Sequence, residues 1–298
     1  MVLLFGDYFC DLIFTGLPDL PRLGADLFSQ DLAVVPGGAF NLALALTRLE
    51  VPTRWAARFG DDLFSRFVRE ECRRHGLDET LFEVHPQPYR SVSVSFSYAH
   101  DRGFLSYCDP LPERDVRPIL AAQRADWVIH LPFDGAAETQ ALLDFAHAQG
   151  SRVFSDCQYV DMTLATPGLI ETLRRIDIFA PNRSEAAQLT GCDDPARAAR
   201  ELARYCPLVV VKAGADGAYA CRGDRVWHAA ALDVPVVDTT AAGDCFNAGF
   251  LAALLRGEDL PTCLRWGNIA GGLSVTAHGA LATPTLAELQ EVLATDKW

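Results

Sequence analysis

The chain has 298 residues, half of them hydrophobic, and a formal net charge of -13. That acidity argues against nucleic acid or an anionic membrane as the main partner, though a local nest of backbone amides and a divalent cation can still hold ATP. Only Lys212 and Lys297 are lysines, and neither stands in a Gly-x-x-x-x-Gly-Lys context, which excludes a P-loop.

Nine scattered cysteines, with no Cys-x-x-Cys, read as reduced thiols of a cytoplasmic protein. The apolar start from Met1 to Phe14 carries Asp7 and Asp11 and lacks a basic segment, so it does not read as a signal peptide. No run has the length of a membrane span. With no repeat, low-complexity tract or polar linker, residues 1–298 read as one α/β domain.

Val2-Leu3-Leu4-Phe5 reads as a short buried strand ended by Gly6-Asp7, with Asp11 just beyond, where α/β sheets bind ligands. Gly6 alone stands where a dinucleotide site needs Gly-x-Gly-x-x-Gly. The irregular run from Leu17 to Val35 predicts strands outside the main sheet. In Pro36-Gly37-Gly38-Ala39-Phe40-Asn41, two glycines permit close backbone approach to a ligand, and a helix starts with its N-terminus toward it. A plain helix-starting turn fits the same residues. Asp61 or Asp62 caps a helix whose apolar face is Leu63, Phe64, Phe67, Val68 and Cys72. Between Tyr89 and Tyr107, Val92, Val94, Phe96 and Tyr98 alternate with serines, turn at His100 to Gly103 and return. That is a hairpin with one apolar face, outside the central sheet. Tyr89, Arg90 and Arg102 either reach a substrate from there or are surface residues.

Strands then alternate with helices, the mark of a parallel sheet: Trp127 to Leu131, Arg152 to Asp156 and Ile176 to Pro181 are strands. Asn182 and Glu185 open the next helix on one face, a spacing that is also a capping box. Leu208 to Val211 leads through Lys212 to a turn at Gly214 and Gly217, then a hairpin. Val234 to Val237 reads as a strand end. It runs into Asp238-Thr239-Thr240-Ala241-Ala242-Gly243-Asp244 and a helix with Phe246, Phe250, Leu251, Leu254 and Leu255 on one face. Such a helix N-terminus, with no bulky side chain at 241–243, receives an anion, phosphate above all. Asp244 would repel that anion if it sat in the same seat. It either takes the proton of a substrate hydroxyl as a phosphoryl group arrives, or merely complements the helix dipole. A helix from Thr262 to Thr276 carries Asn268, Ala270 and Ser274.

Asp-Thr-Thr-Ala-Ala-Gly-Asp followed by Cys-Phe-Asn-Ala-Gly resembles the C-terminal signature of the ribokinase/PfkB family of carbohydrate and nucleoside kinases, many of which have Gly at the place of Ala241. The resemblance implies a ribokinase-like α/β fold: a mostly parallel central sheet with helices on both faces and a small β-sheet lid. The lid strands are expected within 12–35 and 88–108, over the substrate and at a homodimer contact. Asp244 is then the base, with the N–H groups of Ala241, Ala242 and Gly243 around the transferring phosphoryl group. Asp11, Gly37, Gly38, Asn41 and Arg102 would hold a small sugar or polyol, although Asn41 stands one residue nearer the glycines than its family counterpart. Asn182, Lys212, Gly214, Gly217, Asn268 and Ser274 would take ATP. Glu185 with Asn182 would place Mg²⁺, largely through water, and Asp238 and Thr240 are candidates for a K⁺ site. After Asp156 the family's Pro-Asn-x-Arg is replaced by Cys157-Gln158-Tyr159. The same motifs admit a nucleoside kinase, a phosphosugar kinase using Arg90 or Arg102, and a catalytically silent ligand-binding relative.

Overall fold

The computed structural model describes residues 1–98, 101–157 and 161–295. Its strands in chain order are β1 (Val2–Leu4), β2 (Tyr8–Thr15), β3 (Asp31–Gly38), β4 (Thr53–Trp55), β5 (Arg58–Phe59), β6 (Glu83–Val84) and β7 (Ser91–Tyr98). They continue as β8 (Asp101–Cys108), β9 (Trp127–Ile129), β10 (Arg152–Ser155), β11 (Ile178–Phe179), β12 (Leu208–Lys212), β13 (Ala218–Arg222) and β14 (Arg225–Ala229). The helices are α1 (Ala39–Arg48), α2 (Leu63–Arg74), α3 (Arg117–Gln123), α4 (Ala137–Ala148) and α5 (Leu169–Leu173). After them come α6 (Arg183–Thr190), α7 (Pro195–Leu202), α8 (Ala242–Leu255), α9 (Leu260–Ser274) and α10 (Leu286–Ala294).

The main sheet has the order β4-β1-β9-β10-β11-β12-β13-β14. Its first six strands are parallel; β13 then runs antiparallel to β12, and β14 antiparallel to β13. Successive side chains point to opposite faces, so strands covered on both sides need unbroken apolar runs. Leu3, Val128, Val153, Phe179 and Val209 enter one core, packed with α3 to α7. Val2, Leu4, Ile129, Phe154, Ile178 and Val210 enter the other, packed with α1, α2, α8, α9 and α10. Each fully buried Leu or Phe there contributes about 1.5–3 kcal/mol. Among the described residues no helix is long and apolar enough to cross a membrane.

A second sheet has the order β3-β2-β7-β8. Its strands begin earlier than the sequence suggests: β2 is the stretch that carries Asp11, and Leu17 to Val35 supplies only the part from Asp31. The interval between holds Pro18, Pro21 and Gly24, which suit neither strand nor helix. Of the turn expected over His100 to Gly103, His100 lies outside the described residues, and Asp101 to Gly103 already belong to β8.

The period-two reading holds, and register identifies the two faces. Val34, Leu12, Val94 and Leu105 form one row, and Pro36, Cys10, Val92 and Tyr107 the next. Val35, Asp11, Ser93 and Ser106 form a row of the opposite face. On β2 and β7 that polar face is the buried one: Asp11, Ser91, Ser93 and Ser95 are buried, whereas Leu105 is 70% exposed and Leu32, Val34 and Tyr107 are also exposed. On the edge strand β8, Phe104 and Ser106 of the polar face are exposed as well.

Two strand expectations fail for local reasons. β9 stops at Ile129 because His130 turns to a φ of 61°. Val234 to Val237 is not a strand: it lies outside the sheet, with Val236 and Val237 exposed and the Val237 N–H donating to the Val275 carbonyl at the end of α9. Pro235 also denies that segment a ladder donor. At the start of α2 the cap is Asp62, whose carboxylate accepts the Phe64 and Ser65 N–H groups.

Candidate active site

Parallel strands bring their carboxyl ends to one edge of a sheet, and ligands bind there. Gly6 and Asp7 follow β1, His130 follows β9, Asp156 follows β10, Asn182 follows β11, and Lys212 ends β12; all line one cavity of about 1480 Å³. A pocket for one small ligand measures roughly 300–1,000 Å³, so this one has room for two substrates. The inner face of the small sheet adds Phe9, Ser91 and Cys108 to its wall.

The N-terminus of α8 reaches the same cavity through Ala241, Ala242, Gly243 and Asp244. Ala241 is left-handed, with a φ of 67°, and caps the helix without a side-chain hydrogen bond. An L-residue there costs about 1–2 kcal/mol, which a glycine would avoid. The first helical bond runs from the Cys245 N–H to the Ala241 carbonyl at 2.9 Å, and the Ala242 N–H makes only a long 3.4 Å bond to Thr239. The first-turn amides and the helix dipole thus present positive potential to the cavity.

Burial pushes the Asp244 carboxyl above the usual carboxylate range; His130 opposes the rise, Asp156 adds to it, and Lys212 and the Asn41 hydrogen bond oppose it. Asp244 is therefore a stronger base than a first-turn acid in water. Asn41, on α1, donates from Nδ2 to Asp244 Oδ2 at 3.4 Å. It is 4% exposed and does not itself line the cavity; its buried Oδ1 has no hydrogen-bond partner among the described residues.

Gly38 caps α1 at a φ of 63° and lines the cavity. A Cβ on Gly37 would overlap the Asp11 carboxylate, so only glycine allows β3 to lie against Asp11. Asp11 itself is pushed up to about 7 by burial first, then by the charges of Asp238 and Asp244. Arg102 lies on β8, and its side chain is outside the described residues, as are Gln158 and Tyr159.

On the other side of the bend, Lys212 Nζ pairs with Asp156 at 2.7 Å and approaches Asn247 Oδ1 at 3.4 Å. Asn247 also donates to Asp156, and Lys212 Nζ lies 3.4 Å from where a Gly243 Cβ would stand. Gly214 and Gly217 line the cavity and bracket a single 3₁₀ turn. Asn268 reaches the cavity wall, but its amide donates to the Ala229 and Ala230 carbonyls and so ties α9 to the end of β14. Ser274 is fully buried and donates to the Gly271 carbonyl; Gly271, Gly272 and Val275, rather than Ser274, line the cavity. Asp238 accepts from the Thr240 N–H and hydroxyl and from the Gly279 N–H, which pins the loop before the bend.

Asn182 and Glu185 form a reciprocal capping box, Glu185 N–H to Asn182 Oδ1 at 2.9 Å and Asn182 N–H to Glu185 Oε2 at 2.7 Å. Both also line the cavity. Burial first, and then Asp156, push Glu185 up to about 7. A hard cation carried by phosphates would relieve that pair of carboxylates, so the donor set fits Mg²⁺. Among the described residues no group of three or more His, Cys, Asp or Glu side chains could hold a metal by itself.

Sequence reasoning did not single out as functional the cavity-lining polar residues Asp7, His130 and Asp156, nor Asn247, which lies behind the wall bonded to Asp156 and Lys212. Asn247 alone carried a signal, since it stands three residues after Asp244 on the same helix.

The profile of the pfkB family of carbohydrate kinases matches residues 28–286. An uncharacterised sugar kinase of Archaeoglobus fulgidus is 39% identical over 248 residues, covering 80% of this chain and 96% of that one. The structure of Arabidopsis thaliana ribokinase complexed with ribose and ATP superposes with a TM-score of 0.81 at 20% identity, covering 98% of both chains. That of a Methanocaldococcus jannaschii nucleoside kinase superposes at 0.78 and 18% identity, again over 98% of both. The fold is thus ribokinase-like, a large mostly parallel sheet with a smaller one beside its ligand edge, and the chain belongs to the pfkB family of carbohydrate kinases.

Proposed function

We propose that the chain is an ATP-dependent kinase that transfers the γ-phosphoryl group to a hydroxyl of a small, uncharged sugar or polyol. The observation that carries this reading is the meeting of Asp244 with Asn41, at the bend where the α8 amides open into a two-substrate cavity. The bond from the γ-phosphorus to the β,γ-bridging oxygen breaks, a bond to the acceptor oxygen forms, and the hydroxyl proton passes to Asp244. In a loose transition state that proton leaves late, so orientation by Asn41 matters as much as basicity. The first-turn amides and Lys212 face the charge on the transferring oxygens. Mg²⁺, held by the nucleotide phosphates with Glu185, Asn182 and water, would neutralise the phosphate charge.

The acceptor end favours a neutral polyhydroxylated molecule. Arg58 is tied to Asp7 at 2.9 Å and Lys212 to Asp156, while Asp11, Ser91 and Ser93 share the inner face of the small sheet. A second phosphate would meet carboxylates there. We assign residues 1–298 to one kinase domain, with β2, β3, β7 and β8 as a lid over the acceptor. The apolar outer face of that lid is the place for a second copy of the chain. The nine cysteines are all free thiols, which suits a reducing cytoplasm. The Asp238–Thr240 loop is where K⁺ would act, and assays with and without K⁺ test that.

The experiment is ATP consumption across a panel of sugars, polyols and nucleosides. Turnover with a neutral sugar or polyol supports the reading. Turnover confined to a nucleoside moves the acceptor class, and none with any acceptor contradicts the kinase itself.

A further inference from the structure

We propose that His130 is an acceptor-specificity residue: its imidazole contacts the sugar beside the hydroxyl that Asp244 receives. The inference rests on the kinase reading and concerns a residue outside the sequence motifs.

His130 follows β9 directly and lines the cavity. Its backbone is left-handed, with a φ of 61°, one of four non-glycine residues with positive φ among the described residues. The others are Glu50, Arg124 and Ala241, and only Ala241 shares this cavity. A turn that needed nothing but this backbone would be met most easily by glycine. Strain held at a cavity wall by a functional side chain is the more economical account.

The neighbours place the imidazole on the acceptor side. Gly6, at a φ of 111°, lies between the N-terminus of α1 and His130: a Cβ on it would stand 3.2 Å from Ala39 Cβ and 3.5 Å from His130 Nδ1. The same α1 start carries Gly38 and Asn41, and Asn41 bonds Asp244. His130 also opposes the upward shift of the half-buried Asp244 carboxyl, as Lys212 does. His130 thus lines the same cavity as Asp244, next to Gly6 and the α1 start that carries Gly38 and Asn41. An imidazole both donates and accepts, which suits a vicinal hydroxyl.

Two substitutions separate this role from packing. His130→Gly removes the ring and relaxes the backbone; His130→Gln keeps a polar side chain on the strained backbone. Steady-state kinetics with D-ribose, D-fructose and adenosine as probe acceptors should show the acceptor KM about tenfold higher in His130→Gly, the loss expected for one hydrogen bond. The KM for ATP should stay within about twofold, because the nucleotide side is untouched. His130→Gln should recover part of the loss. Thermal stability should run the opposite way, with His130→Gly at least as stable as wild type and His130→Gln less so. An unchanged acceptor KM in His130→Gly, with the wild-type protein active, overturns the assignment while leaving the kinase reading intact. Where none of the three is turned over, the same comparison is made with the acceptor that the wider panel of sugars, polyols and nucleosides identifies, and inactivity across that whole panel counts against both.

Discussion

Asn41 and Asp244 stand 203 positions apart in the chain, yet Asn41 Nδ2 donates to Asp244 Oδ2 across 3.4 Å. The contact joins the first turns of α1 and α8, the two helix starts that the sequence marks with glycines and small residues. It fixes which oxygen of Asp244 remains for the acceptor.

Replacing Asn41 by Asp tests that relationship. Two carboxylates at this distance cannot both ionise near neutrality, so Asp244 would hold its proton more tightly. Asn41→Asp should lose at least about a hundredfold in kcat/KM for the acceptor at neutral pH, more than Asn41→Ala, which only removes the hydrogen bond. Comparing the two variants over pH checks the order.

The buried carboxylates predict how stability depends on pH. Asp11 rises from 3.8 to about 7 and Glu185 from 4.5 to about 7, in both cases through burial first. Between those limits the folded protein holds protons that the unfolded chain has released. Their contribution to stability is therefore complete below the unfolded values and lost as pH rises through about 7. The ligand-free protein should melt at a lower temperature at about pH 8 than at about pH 5.5, and Asp11→Asn should flatten that difference. A calorimetric pH series measures it.

The outer face of the small sheet gives a third test. The row Val34, Leu12, Val94 and Leu105 crosses all four strands, with Leu105 70% exposed. An apolar sheet face of this kind is a contact surface in waiting. Light scattering should find a dimer for the wild-type protein and a monomer for Leu105→Glu, with circular dichroism unchanged.

The parallel sheet was legible because strands buried on both faces must be continuously apolar, as Val209-Val210-Val211 is. The bend before α8 and the Asn182–Glu185 helix start were legible because caps and small-residue turns are local. What escaped depends on distant partners. Asp156 meets Lys212 and Asn247 only after β10, β12 and α8 have packed together. His130 reads as one more strand residue, since nothing in its neighbours announces a left-handed turn. Val234 to Val237 is apolar enough for a strand but has no neighbouring strand to pair with among the described residues; its exposed Val236 lies beside the cavity instead. Ser274 has the small size expected beside a base, yet helix rotation turns it inward and offers Gly271 and Gly272 in its place.

The most direct measurement compares Asp244→Asn with the wild-type protein in two assays, ATP binding by calorimetry and phosphoryl transfer to the preferred acceptor. The amide keeps the shape of the side chain and cannot take the proton, so kcat should fall by at least about a thousandfold while ATP affinity stays within about threefold. Turnover near the wild-type rate in Asp244→Asn would contradict the account.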